Sequence, residues 1–332
     1  MKMEELKTEN RLLMEASLEP VQGNRYQPTG FPNLGAATYQ LPDGTQMCLV
    51  ESCQSMANRM ESVCWDNEKN QLIRPLSDLP YINVVDEEGR WITSSILEAH
   101  RINSPYILES KNSTFYDRLK EELKVLETGR PNLKALASTL YKYDANSLIH
   151  GVFLAKSDLA KGQLRVPRAL SSFIEASNVT VAASGGVKKD DIDPKGNTKK
   201  GFGNVPFSRD EYTGNLKIYF NLDLAQIRGY GLHEGAQDLL LNLALYKIRK
   251  VLDEGLRLRT SCDLRLKGDI AVVRPASFIL PSTKNLEDTL PKLIASEKSH
   301  FAKQEDTTVE YIPLKDEKSE DSEESPEAVE DQ

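Results

Sequence analysis

Residues 255–267 read GLRLRTSCDLRLK and alternate with period two. Leu256, Leu258, Cys262, Leu264 and Leu266 fall on one side, and Arg257, Arg259, Asp263, Arg265 and Lys267 on the other. This is the pattern of a half-buried strand with a basic outer face. A helical run leads into it, and Gly268-Asp269 is a turn signal that should fold it back into a second strand at 270–273. A basic strand face is either simply solvated or meets an anion. The rest of the chain must decide between the two.

The formal charge of the 332 residues is −8. Residues 315–332 hold nine acids and two bases, so this tail accounts for −7, and the other 314 residues are nearly neutral. Between residues 156 and 274 there are 20 bases and 14 acids. The acidic whole therefore conceals a basic centre, and a nucleic-acid partner is not excluded by net charge. Cys48, Cys53, Cys64 and Cys262 form no CxxC pair, and His100, His150, His233 and His300 are scattered, so no metal site and no cofactor is expected. No run approaches the ~20 apolar residues that cross a bilayer, so no membrane partner is expected. The reading is a cytoplasmic protein with reduced, mostly buried thiols.

In chain order, residues 1–20 suggest an amphipathic helix through Leu6, Leu12, Leu13 and Leu18, followed by a Gly- and Pro-rich loop. Asp43-Gly44 marks a hairpin between 39–41 and 47–50. Residues 51–63 are helical, with Met56, Met60 and Val63 on one stripe and Gln54, Asn58, Arg59 and Glu61 polar; Arg59 could grip a phosphate bidentately. A short strand is expected within 79–85. Capping boxes begin helices at Ser95 and Thr114, Gly129-Arg130-Pro131 breaks the latter, and Asn132 caps a third. The apolar run 148–155 reads as a central strand with a core His150 inside it. Residues 182–213 form a long insertion rich in Gly and Lys with Phe202, Phe207 and Tyr212 interleaved. Loops of this length are functional or disordered, and bases mixed with rings suit single-stranded nucleic acid. A strand at 215–222 and a strong helix at 237–254, ended by Gly255, precede the opening stretch. Residues 271–280 form another apolar stretch, and 282–314 turn polar. The tail 315–332 cannot bury enough apolar surface to fold. The class is α+β, without a Walker loop, HExxH or GxSxG.

Six stretches in order carry a family resemblance: VESCQSMANRMES at 50–62, RVPR at 165–168, SGGVKKD at 184–190, GFGNVPFSRDEYT at 201–213, FNLDLAQIRGYGL at 220–232 and GLRLRTSCDL at 255–264. Over roughly 40–280 the chain resembles the CRISPR-associated RAMP backbone subunit of type I-U (I-G) Cascade complexes. The resemblance implies a modified RRM-like, ferredoxin-like palm with large insertions at 41–281. A helix and loop at 1–40, the polar segment 282–314 and the disordered tail would lie outside it. It also implies a non-catalytic subunit that polymerises along a crRNA, holds it by its phosphates and leaves base edges free. The implied partners are crRNA, target DNA through the guide, further copies of itself and other Cascade subunits.

A guide binder reads backbone and not sequence. The candidate phosphate contacts are Arg59, Arg165, Arg168, Lys188, Lys189, Arg209, Arg228, Arg257 and Arg259, with Gln54, Ser55 and Asn58 adding hydrogen bonds. Arg228, near Asp223, and Arg257, near Asp253 and Glu254, could instead form structural ion pairs. A RAMP endoribonuclease would draw on His150, His233, Asp144 and Asp223, and a protein-only scaffold on the helix at 237–254.

Overall fold

The computed structural model describes residues 4–31, 35–111, 113–126 and 132–313. The acidic tail and the Gly129-Arg130-Pro131 break lie outside the described residues. A short helix α1 (Glu4–Thr8) leads into β1 (Arg11–Pro20), which lies inside the main sheet. The helix expected over 1–20 is therefore largely a strand. RLLMEASLEP also alternates, and Leu12, Met14, Ala16 and Leu18 bury on one face while pairing with Leu222, Phe220, Ile218 and Leu216. Two flanking strands satisfy the backbone of this segment, and that tertiary pairing overrides its helical pattern.

β2 (Thr38–Gln40) and β3 (Gln46–Glu51) form the Asp43-Gly44 hairpin, followed by α2 (Cys53–Ser62). A small side sheet pairs β4 (Asn83–Val85) with β5 (Trp91–Ser94). The helix expected at Ser95 is instead a set of turns leading to a 3-10 turn at Arg101–Asn103. α3 (Thr114–Leu123) is capped by Ser113, one residue before the expected position, and α4 (Leu133–Tyr143) by Asn132. The apolar run 148–155 is not a central strand. It ends α5 (Asn146–His150), turns at Gly151 and enters β6 (Val152–Leu154), which among the described residues pairs only with β7 (Leu164–Val166). Periodicity alone does not separate a short buried helix from a strand.

β8 (Leu170–Lys188) and β9 (Val205–Asp223) pair along nearly their whole length. Their inner halves alternate buried and solvated residues, while their outer halves are mostly exposed. Half of the insertion at 182–213, residues 182–188 and 205–213, is thus ordered ladder rather than loop. Beyond Tyr212, which bridges to Tyr26, the hairpin extends roughly 20 Å. α6 (Leu224–Gly229) and the central helix α7 (Glu234–Glu254) follow.

The opening stretch 255–267 is two strands, β10 (Arg257–Arg259) and β11 (Cys262–Leu266), with a turn at Thr260-Ser261. Leu256, Leu258, Cys262 and Leu264 are buried, so the side-chain alternation survives the turn. After Gly268 the chain does not fold back. β11 pairs with Leu18–Pro20, and β12 (Ala271–Arg274) pairs with Leu13–Glu15, both antiparallel to β1. They form one interrupted strand along the edge of β1.

The main sheet runs β10-β11-β1-β9-β8-β3-β2. Its inward face packs under α2, which also contacts α7. α8 (Thr283–Glu297) lies on α7 through Leu286, Leu290 and Ile294, and β13 (Thr308–Glu310) completes the side sheet beside β4. Both termini expected outside the domain, 1–40 and 282–314, therefore supply integral elements. Ile218 is fully buried in the inner half of β9. Ile218→Ala should cost about 2–5 kcal/mol, read as a lower urea midpoint at unchanged slope.

Candidate functional site

α2, the Arg101–Asn103 turn and the β6–β7 hairpin enclose a cleft of about 520 Å³. Gln54, His100, Arg101, Asn103, His150, Arg165 and Arg168 supply its polar lining, and among the described residues no acid lines it. The walls meet because residue 151 is glycine. Its φ is +80°, and a Cβ there would stand 2.9 Å from the Arg168 amide nitrogen and 3.0 Å from the Val166 carbonyl oxygen. Arg168 donates from Nε to the His150 carbonyl at 3.2 Å and from Nη2 to Gln54 Oε1 at 2.7 Å. Arg165 is exposed on β7 directly opposite exposed Phe153. A guanidinium and a ring side by side can meet a phosphate and a neighbouring base together. The first turn of α2, with Gln54 in it, carries no acid, so its dipole also favours an anion.

Behind the cleft lies a buried charge network. Arg101 forks onto Glu61 with two bonds of 2.7 Å and reaches the Gly151 carbonyl at 3.2 Å. Asn146 donates to Glu61, and Lys247 donates to Asn146 and, at 3.1 Å, to His150 Nε2. An ammonium only donates, so His150 Nε2 accepts and the ring is neutral. Burial first, then Lys247, Arg101 and Arg168, hold His150 well below its ordinary value of 6.5. Burial pushes Asp144 up to about 6, with the Glu61 carboxylate adding to the rise. Arg168 is lowered by burial and then by the like charge of Arg101. An anion in the cleft would relieve that repulsion.

Glu51 is a second node, almost wholly buried. It accepts from Arg59 Nε at 2.8 Å, from Arg259 and from the Ser55 hydroxyl. Arg59 also donates to the Leu258 carbonyl at 2.6 Å, and Arg259 to that of Gln27 at 2.7 Å. These two arginines, expected to face a phosphate, join α2 to the β10–β11 hairpin. Gln54 donates to Asn58 at 3.1 Å on the exposed side of α2. Arg168 is thereby linked through Gln54 to Asn58, and Arg59 donates from Nη1 to the Arg257 carbonyl at 3.4 Å. The side chains of Arg165 and Arg257 are exposed and make no ion pair among the described residues.

The remaining candidates lie elsewhere. Lys188 and Lys189 are exposed towards the end of the long hairpin, and Arg209 on the same hairpin bonds Glu211 at 3.0 Å. Arg228 caps the N-terminal segment through the Glu9 carbonyl at 2.7 Å and Asn10 at 3.1 Å. Its partners are backbone and amide groups, not Asp223. Asp223 binds Arg11 at 2.6 Å and caps α6. Sequence reasoning did not pick out His100, Arg101, Asn103 or Phe153. Arg101 adopts a φ of +52°, which no sequence pattern announces.

The family described as CRISPR-associated protein GSU0053 matches residues 12–181, and the chain belongs to it. Among solved structures, the chain resembles a chain of a "CRISPR RNA-guided surveillance complex, pre-nicking". The identity is 12%, with 77% of this chain and 74% of that one covered, and the TM-score is 0.41. A chain of another "CRISPR RNA-guided surveillance complex" shares 15% identity over 83% and 74%, with a TM-score of 0.36. Csc2 of Thermofilum pendens shares 10% over 87% and 79%, with a TM-score of 0.33. No curated protein matches. Among the described residues, no helix is long and apolar enough to cross a membrane.

Gly151→Ala should destabilise by more than about 1 kcal/mol, because both the φ and the contacts resist a Cβ, measured by urea unfolding. The pH dependence has a definite sign. With His150 depressed in the fold, its stabilising contribution is full above its ordinary value and is lost as pH falls below it. Asp144, raised in the fold, acts oppositely, and its contribution is lost as pH rises through about 6. Comparing wild type with His150→Asn cancels Asp144 to first order. Wild type should therefore lose stability relative to the variant between about pH 7.5 and 5.5.

Proposed function

We propose that this chain is a crRNA-binding backbone subunit of a type I-U Cascade effector, holding its guide by the phosphates without cutting it. The observation that carries the reading is the arginine cleft without an acid, continuous with the polar side of α2. Family membership supplies the CRISPR context, and the chemistry of the cleft supplies the RNA. Arg165, Arg168 and Arg257 would bind phosphates directly, and Gln54 and Asn58 would add hydrogen bonds. Arg59, Arg259 and Ser55 would act through Glu51, positioning that surface.

The central order β11-β1-β9-β8 is antiparallel, with helical crossovers from β1 to β8 and from β9 to β11. This matches a split βαβ plan and supports an RRM-like palm. The β8–β9 hairpin, with Lys188, Lys189 and Arg209 on its outer part, would be a projecting element that meets the guide. Further copies of this chain, other Cascade subunits and target DNA paired to the guide are the partners in this reading.

Fluorescence anisotropy with several unrelated single-stranded RNAs tests the proposal. The Arg165→Ala/Arg168→Ala pair should weaken binding at least tenfold for every sequence alike. The slope of log affinity against log salt should fall by about 0.7 per lost phosphate contact. A loss confined to one sequence would contradict backbone readout. RNA cleavage by the purified protein that disappears in His150→Ala would make it an endoribonuclease instead.

A further inference from the structure

At the end of the helical layer, three potential metal ligands meet that are far apart in the chain. His233 precedes the first residue of α7, Glu297 ends α8, and His300 closes the 3-10 turn after it. His233 Nε2 lies 2.6 Å from Glu297 Oε2, and one ligand atom from each of the three residues falls within 4.8 Å of the others. The two imidazoles face each other with ring centroids 4.3 Å apart.

We infer that His233, Glu297 and His300 form a binding site for a zinc-class divalent cation that staples the start of α7 to the end of α8. Two imidazoles and one carboxylate are the donor set of such a cation, whereas magnesium and calcium prefer all-oxygen shells. Four-coordinate zinc sets its ligand atoms ~3.3 Å apart. His300 is exposed on a short turn, so its ring can close the remaining gap. The cation takes the place of the hydrogen bond between His233 and Glu297, with the neutral His233 ring coordinating through Nε2 and carrying its one proton on Nδ1. The fourth position faces solvent, beside two exposed imidazoles, and takes water.

The surroundings are built around the carboxylate. Glu297 is buried, and Tyr141 donates its hydroxyl to Oε2 at 2.8 Å. A bond of this kind orients a ligand carboxylate from outside the metal shell. Tyr141 also packs edge-on against His233 and against Phe301, which follows the His300 turn. Residue 235 is glycine, and a Cβ there would fall 2.2 Å from Glu297 Oε1. The first turn of α7 thus leaves room for that oxygen. The site does not depend on the RNA reading. Fourteen residues of α7, roughly 21 Å, separate His233 from Lys247 behind the cleft.

The test uses the untagged full chain, stripped with EDTA and titrated with Zn²⁺ and Co²⁺. One equivalent of each should bind, Co²⁺ should give the visible band of a four-coordinate site, and Zn²⁺ should raise Tm. His300→Ala, an exposed change that leaves the core untouched, should weaken binding at least tenfold. Tyr141→Phe should weaken it less while leaving the stoichiometry at one. Failure to bind an equivalent of Zn²⁺ would overturn the inference. So would a His300→Ala protein that binds as wild type does, since the cation would then be held elsewhere, for instance by a cysteine.

Discussion

The antiparallel pairing of Arg11–Pro20 with β9 is the constraint on which the rest of the fold depends. β1 is a central strand, with β9 on one side and the interrupted β11–β12 strand on the other. Side chains alternate along it, so a slip of one residue would turn Leu12, Met14, Ala16 and Leu18 out to solvent. Facing Leu222, Phe220, Ile218 and Leu216, they instead complete the buried face of the sheet, on which α2 lies. Once β9 is fixed, its partner β8 is fixed along nearly its whole length, and the hairpin projects without further support. The same register brings the β10–β11 hairpin to the edge of β1, where Arg59 and Arg259 can reach Glu51.

Two buried carboxylates then sort the arginines. Glu51 holds Arg59 and Arg259, and Glu61 holds Arg101. A buried carboxylate left alone would be strongly unfavourable, and removing one partner of such a pair costs about 3–5 kcal/mol. These acids therefore fix where their arginines point. Arg168 has only neutral hydrogen-bond partners, and the Arg165 side chain has none among the described residues. These two remain available to an outside anion. The basic excess of the central half is thus partly internal neutralisation and partly surface chemistry.

Legibility differed by element. The Asp43-Gly44 hairpin, α2, the Asn132-capped helix, the strand at 215–222 and the helix ended by Gly255 all carry local signals, in turn chemistry, caps or sustained periodicity. The strand at Arg11–Pro20 and the helix at Asn146–His150 do not, because a short apolar run fits either state until its neighbours are known. The 182–213 segment, rich in glycine and lysine, looks like a loop. Its two ends, 182–188 and 205–213, form ladder because β8 and β9 continue to pair beyond the packed half of the sheet. The polar-looking C-terminal stretch hides Leu286, Leu290 and Ile294 at helical spacing, and they find their place only against α7.

By itself, the sequence determined an α+β chain with a basic middle, an alternating stretch at 255–267, and Gln54, Arg165 and Arg168 as polar and cationic residues worth following. Family motifs of that kind are local and survive in one dimension. Only the tertiary structure decided which cations stay free, because that depends on where Glu51 and Glu61 are buried. It alone brought Arg101 beside Arg168 and set His233 against Glu297, 64 residues away. Charge and ligand chemistry act over a few ångströms, and chain separation does not measure that distance.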